Sequence, residues 1–171
     1  MHRAKALIVL AGLVCTHAFG AVAFNGESAL GFTGKLVAFG PRPAGSEAHK
    51  TMERYLTAQL KLFGCATEEI AWTATTPIGP KPMKNYLVRI PGSSARPVVL
   101  SGHYDTKWIE GSNFVGANDG GSSAGFLLEV ARILCRSRGA DPLWLLWLDG
   151  EEAFRQWTET DSLYGSRYLS Q

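Results

Sequence analysis

Three carboxylates, Asp149, Glu151 and Glu152, follow directly on the apolar run 143–148, with only Gly150 among them. An apolar run of that length, rich in Leu and Trp, reads as a buried strand. Carboxylates just past such a strand lie where open α/β sheets keep their ligand sites, at the carboxyl ends of strands. In an extended segment the adjacent Glu151 and Glu152 point to opposite sides. One can then hold a metal ion while the other moves protons, a division of labour suited to metal-assisted acyl chemistry. Two further segments supply partners. The apolar run 98–100 leads through Ser101-Gly102 to His103-Tyr104-Asp105, and Asn118-Asp119-Gly120-Gly121 forms an acidic loop ahead of a helical pattern. A neutral imidazole with carboxylates is a zinc-type donor set.

Each candidate has a plainer reading. Asp119 could ligate a metal, or cap the helix that follows it, a role Asp fills very commonly. Beside His103 and Glu152 the ligand reading is favoured. His103 could be a further ligand whose ring Asp105 orients, or a structural His packed under the site. Glu152 is read as a ligand, Glu151 as a general acid/base tuned by metal and burial, and Asp149 as support for either one. A solvated acidic turn is the alternative, and it fits poorly with so apolar a preceding strand. Trp157, Tyr104 and Trp108 could wall a substrate pocket, or, for the last two, belong to the core.

These residues need a frame. Positions 28–39 are weakly helical, with glycines interrupting. Gly40-Pro41-Arg42-Pro43-Ala44-Gly45 is a rigid loop, Ser46 an N-cap, and Met52, Tyr55, Leu56, Leu60 and Phe63 fall at helical spacing before Gly64. Strands are expected at 68–75 and 85–90, separated by a Pro-rich loop at 76–84. A strand at 98–102, a helix at 122–136 with Phe126, Leu127, Val130, Ile133 and Leu134 inward, and a strand at 143–148 make a βαβ unit, whose strands should be parallel. Parallel strands would bring His103, Asp119 and the Glu151-Glu152 pair to one edge of the sheet.

The chain has 171 residues, 46% of them apolar, and a formal charge of +2, a globular composition. No Lys/Arg cluster argues for nucleic acid. Arg3 and Lys5 precede an apolar stretch at 6–14, and Ala21-Val22-Ala23 is a cleavage-type site, so 1–23 reads as an export signal, with an uncleaved membrane anchor as the alternative. The mature domain would begin near Phe24, in a periplasmic or secreted setting, without stable membrane association. Cys65 and Cys135 then remain. They admit one disulfide or two buried thiols, and the sequence alone leans to the thiols.

Taken together, Gly40-Pro41-Arg42-Pro43, Ser101 to Asp105, Ala117-Asn118-Asp119-Gly120, Gly150-Glu151-Glu152 and Gly165-Ser166-Arg167 resemble the zinc-dependent M28 metallopeptidase superfamily. Within it, the long interval between Glu152 and Gly165, with Trp157 inside it, looks like the glutaminyl-peptide cyclotransferases rather than the aminopeptidases. The resemblance implies an α/β fold with a mixed, mostly parallel central sheet flanked by helices. It implies Zn2+ held by Asp119 and Glu152, Glu151 as the catalytic acid/base, and Trp157 lining the substrate pocket. His103 is a metal ligand in the two-zinc aminopeptidases and usually not in the single-zinc cyclases, so it is the least certain ligand. Animal cyclases carry a Cys where this chain has Gly102, so their disulfide beside the site is not expected. The implied substrate is a peptide or protein N-terminus. Aminopeptidase activity, or an M28-like domain that binds peptide ends or metal without turnover, are the alternatives. The family draws a further His ligand and catalytic Asp residues from beyond its Gly-Ser-Arg segment. The 24–171 domain is therefore expected to be the N-terminal part of a longer enzyme, and weakly active or inactive if the 171 residues are the whole product.

Overall fold

The computed structural model describes residues 23–171. The export signal read at 1–23 lies, apart from its last residue, outside the described residues. Helix α1, Gly26–Val37, starts where Asn25 accepts from the Ser28 N–H. Helix α2, Glu47–Phe63, starts at Ser46, whose hydroxyl accepts from the His49 N–H, and stops at Gly64 in the left-handed conformation. Both α2 boundaries follow from capping chemistry visible in the sequence.

Strands β1, Thr67–Thr76, and β2, Gly79–Ile90, form an antiparallel hairpin. The loop expected at 76–84 is thus corrected to a two-residue turn, Pro77-Ile78, with β2 running straight through Pro80 and Pro82. Proline survives in a strand only where its missing N–H is not needed by a neighbour. Pro80 and Pro82 share strand parity with Lys84, whose N–H points away from β1, at the Asp149 carboxylate. On that flank β2 is paired only from Tyr86 to Ile90, so the prolines cost the sheet no hydrogen bond.

Strand β3, Val98–His103, helix α3, Ser123–Leu134, and strand β4, Leu143–Leu148, form the expected unit, with β3 and β4 parallel from Val98↔Leu143 to His103↔Leu148. The sheet order is β1-β2-β4-β3. The mixed α/β sheet with flanking helices is as expected. Among the described strands its parallel character is confined to the β3–β4 pair, because β2 meets both of its neighbours antiparallel. A short helix α4, Tyr164–Leu169, closes the described chain.

The core lies between the sheet and α1–α3. Met52, Leu56 and Leu60 from α2, Leu127 and Leu128 from α3, and Tyr86, Leu145 and Trp147 from the sheet are almost fully buried. Phe126, expected inward, instead packs near the surface against Phe24. Glu129 takes an unexpected buried place, accepting from Asn25 N–H, Ser28 Oγ and Arg132, and so ties α3 to the start of α1. Cys65 and Cys135 form a disulfide with Cα atoms 5.0 Å apart, correcting the buried-thiol expectation. The end of α2 and the end of α3 meet there, a closeness created by tertiary packing across a separation of 70 residues.

Candidate active site

The parallel pairing of β3 and β4 ends both strands on one edge, and the candidate residues converge there. His103 closes β3. Its Nε2 lies 3.0 Å from Asp119 Oδ1, its Nδ1 3.3 Å from Asp105 Oδ1, and the same Nδ1 3.9 Å from Glu151 Oε2. Asp119 sits in the wide turn Ala117–Ser122 ahead of α3, its side chain about half exposed. Among the described hydrogen bonds its carboxylate caps no helix; it faces the imidazole. Gly120 makes this approach possible: its φ is +79°, and an added Cβ would lie 2.5 Å from the Asp105 carbonyl oxygen and 3.1 Å from the His103 ring.

Asp105 is buried and organises the rest. One oxygen faces His103 and accepts from the Glu151 N–H, and the other accepts from the Glu152 N–H. Burial raises its pKa, but the hydrogen bond and charge of His103, the charge of His49 and the Glu151 amide outweigh that, and its carboxyl is held below the usual range. The two glutamates are therefore not part of an extended segment. Gly150, at φ +61°, turns the backbone after β4, and both following amides converge on one carboxylate.

The buried Arg42 explains the Gly-Pro-Arg-Pro loop. Its guanidinium donates to the carbonyls of Tyr104, Val115 and Gly116, pinning the segment after β3 to the turn that presents Asp119. Burial lowers its pKa to about 10, opposed by the charge of Asp105.

The electrostatics are those of crowded like charges. Glu152 is raised to about 7, first by burial, then by Asp119, Asp105 and Glu151. Glu151 is raised too, by burial most of all, with His103 and Lys107 opposing. Burial pushes His103 down, but its hydrogen bond to Asp105 and the surrounding carboxylates bring it up to about 9. Such a cluster is what a divalent cation would relieve: hard oxygen donors, one imidazole, and too little positive charge nearby. Donors of these types suit zinc: Asp119 and Glu152 could supply two oxygen ligands, and His103 could be a nitrogen ligand or the hydrogen-bond partner that orients Asp119.

Asp149 does not support Glu151 or Glu152 directly, as the sequence suggested. It is fully buried, and its carboxylate accepts from His49 Nε2 at 2.8 Å and from the Lys84 N–H at 2.8 Å. His49, on α2, lies between Asp149 and Glu53 and stacks on Tyr104; sequence reasoning did not single it out. Its place on the buried face of α2, four residues before Glu53, was the available signal. His49, Glu53 and Asp149 also bring one ligand-type atom each within 4.8 Å of one another. Both imidazole nitrogens already face carboxylates, however, and both Asp149 oxygens are occupied, so this is an ion-pair network rather than a metal cage. Tyr104 is core; its hydroxyl donates to the Lys84 carbonyl.

Trp157 stands 57% exposed on the loop after Glu152. Asp161 shapes that loop. Its carboxylate accepts from the Phe154, Arg155 and Gln156 N–H groups and from Tyr164 Oη, contacts that hold it below the usual carboxylate range despite burial. Lys107 Nζ donates to the Ala153 carbonyl, tying the loop to the segment after His103. Trp108 beside it is likewise half exposed.

Comparison with known proteins bears on the family and the fold. The family model for peptidase family M28 matches residues 85–171. A glutaminyl-peptide cyclotransferase-like protein from Bos taurus is 38% identical over 141 residues, covering 76% of this chain and 37% of that protein. The crystal structure of an Acidobacteriales bacterium glutaminyl cyclase superposes with a TM-score of 0.82 at 36% identity, over 99% of this chain and 56% of that one. A Zn-dependent exopeptidase from Parabacteroides distasonis superposes at 0.75 with 26% identity, over 88% of this chain and 57% of that one. The chain thus spans little more than a third of the curated relative's length and somewhat over half of each solved structure.

Proposed function

The chain belongs to peptidase family M28, and from that membership we propose that it works as a zinc-dependent glutaminyl-peptide cyclotransferase, converting an N-terminal glutamine of peptides or proteins to pyroglutamate with release of ammonia. The observation that carries the reading is the convergence of Asp119, Glu151 and Glu152 around His103 at one sheet edge, in a chain similar to glutaminyl cyclases.

Asp119 and Glu152 are the zinc ligands in this reading. Bound there, zinc supplies Lewis-acid polarisation of the substrate's γ-carbonyl. Glu151, whose amide Asp105 fixes, accepts a proton from the substrate's α-amine as that nitrogen bonds to the carbonyl carbon of the side-chain amide. The same carboxyl returns a proton to the departing nitrogen, so the C–N bond to the side-chain amide breaks and ammonia leaves. Its raised pKa suits a group that must both take and give a proton near neutrality. His103 holds Asp119 and is held by Asp105. Trp157 offers an exposed indole against which the N-terminal residues can pack.

Residues 24–171 form the catalytic domain of this reading and 1–23 its export signal, with a periplasmic or secreted location. The Cys65–Cys135 disulfide supports that location, because such bonds persist in oxidising compartments. Among the described residues no helix is long and apolar enough to cross a membrane.

The test is mass spectrometry of a peptide with N-terminal glutamine, incubated with the zinc-loaded complete gene product. Loss of ammonia from an intact chain is the expected result. Release of the first residue would replace the cyclase reading with aminopeptidase chemistry, and an unchanged peptide would overturn both.

A further inference from the structure

His49 touches neither the glutamates nor the Asp119 turn, yet it contacts the ends of both site-bearing strands. Its Nε2 holds Asp149, the first residue beyond β4, at 2.8 Å. Its ring stacks on Tyr104, the first residue beyond β3, with centroids 5.0 Å apart and planes 20° apart. Asp149 is fixed from every other side. Its second carboxylate oxygen accepts from the Lys84 N–H, its own N–H donates to Asn85 Oδ1, and its carbonyl accepts from the Gly165 N–H. The next residue is Gly150, at φ +61° and packed so tightly that an added Cβ would lie 2.7 Å from Met83 Sδ. Any movement of Asp149 must therefore pass along the backbone into Glu151 and Glu152. Tyr104 is flanked in sequence by His103 and Asp105, so the stacked ring packs against the other half of the site.

We infer that His49 is the positioning residue of this site, a buried imidazole that sets the Glu151-Glu152 turn against the His103–Asp119 pair chiefly through its hydrogen bond to Asp149, the stack on Tyr104 adding only packing. This rests on the reading of the site given above. The groups that face the ring are Asp149 beyond β4, Glu53 one turn along α2, and Tyr104 and Asp105 beyond β3. Burial opposes the ring's charge, the carboxylates favour it more strongly, and its pKa is raised on balance. Nothing in this assignment requires His49 to meet substrate or metal.

Two neutral variants separate positioning from mere filling. In His49→Gln the amide nitrogen can occupy the place of Nε2 and still reach Asp149. In His49→Asn it occupies the place of Nδ1 and reaches only the Glu53 side. Both replace the ring with an amide, so both lose the stack and the charge. The measurements, on the complete gene product, are folded fraction by circular dichroism, zinc affinity by competition with a chromophoric chelator, and kcat and KM for a glutaminyl peptide. The folded His49→Asn protein should bind zinc about 10-fold more weakly and lose about 10- to 100-fold in kcat with KM little changed, the scale typical of residues that orient metal ligands. His49→Gln, which keeps the hydrogen bond to Asp149, should remain within about 3-fold of the parent in both, below the roughly 10- to 100-fold loss that follows when an orienting partner is removed. Parent-like zinc affinity and kcat in His49→Asn, or equal loss in the two variants, would overturn the inference. Absence of cyclisation by the parent would defeat the functional reading instead, and the zinc-affinity comparison would still decide the role of His49.

Discussion

The molecule holds two imidazole–carboxylate clusters built from the same residue types, and they differ in what is left unsatisfied. In the core, His49 is enclosed by Asp149 and Glu53, and every oxygen of Asp149 has a donor. At the sheet edge, His103 faces Asp105, Asp119 and Glu151, with Glu152 close enough to feel all of them. There negative charge exceeds the positive charge available. A saturated cluster holds a fold together, whereas an under-compensated one in an open position is poised for a cation and a substrate. Residue type alone does not separate the two; the accounting of partners does.

The largest effect should come from the open cluster. Glu151→Gln keeps the amide that Asp105 holds and removes only the proton carrier, so the circular-dichroism spectrum should be unchanged while kcat falls about 10²- to 10⁴-fold, the usual contribution of general acid–base catalysis. Activity within a few-fold of the parent would remove Glu151 from the mechanism. The closed cluster should respond in the opposite sense. Asp149→Ala strips His49 and the Lys84 N–H of their partner inside the core, and breaking a buried pair in this way costs about 3–5 kcal/mol. Urea unfolding should report that loss. Asp119→Ala, a half-exposed member of the like-charge cluster, should leave metal-free stability unchanged or slightly higher. If the two aspartates behave alike, the distinction between saturated and unsaturated clusters fails.

The open cluster could be read from the sequence because its logic is topological. Two parallel strands with a helix between them must end at one edge, so His103, Asp119 and the glutamates are brought together by chain order. The closed cluster could not, since nothing local says that His49, on α2, meets Asp149, a hundred residues later. The same holds for Cys65 and Cys135, joined only when the ends of α2 and α3 pack. Pro80 and Pro82 misled for a different reason. Proline propensity argues against a strand, and only the short reach of β4 along β2 shows that their missing donors go unused. In the case of Asp149, adjacency to Glu151 suggested a shared task, but past the turn at Gly150 their partners differ: Asp149 faces His49 and the Lys84 N–H, and Glu151 faces His103.

The disulfide gives an intermediate effect and tests how far the two clusters are mechanically separate. It closes a loop of 70 residues far from the open edge. Cys65→Ser with Cys135→Ser should cost about 2–4 kcal/mol, mainly through the unfolded chain, seen as a lower urea midpoint. The zinc affinity of the protein that remains folded should not change. A weakened affinity would mean that the α2–α3 junction reaches the site through His49, and that the core network is less rigid than its hydrogen bonds imply.

The smallest effect is the most specific, because it reads the unsatisfied charge itself. Glu152 has a folded pKa of about 7, above the ordinary carboxylate value of 4.5, so the folded state binds its proton more tightly than the unfolded state does. Its contribution therefore favours the fold below pH 4.5 and fades as the pH rises towards 7. His103 runs on a different window. With its pKa raised to about 9, its stabilising contribution is complete below about 6.5 and is lost only as the pH passes 9. Metal-free protein should thus show a melting temperature with a downward slope between pH 4.5 and 7, and Glu152→Gln should flatten that slope while leaving the alkaline fall in place. Zinc should act against the slope, since it competes with the same proton: the stabilisation it adds should grow from pH 5 to pH 7, and about three-quarters of a Glu152-dependent proton should be released on binding at about pH 6.5. A slope that survives Glu152→Gln would place the excess charge on another member of the cluster, and a zinc effect independent of pH would separate the metal from these carboxylates altogether.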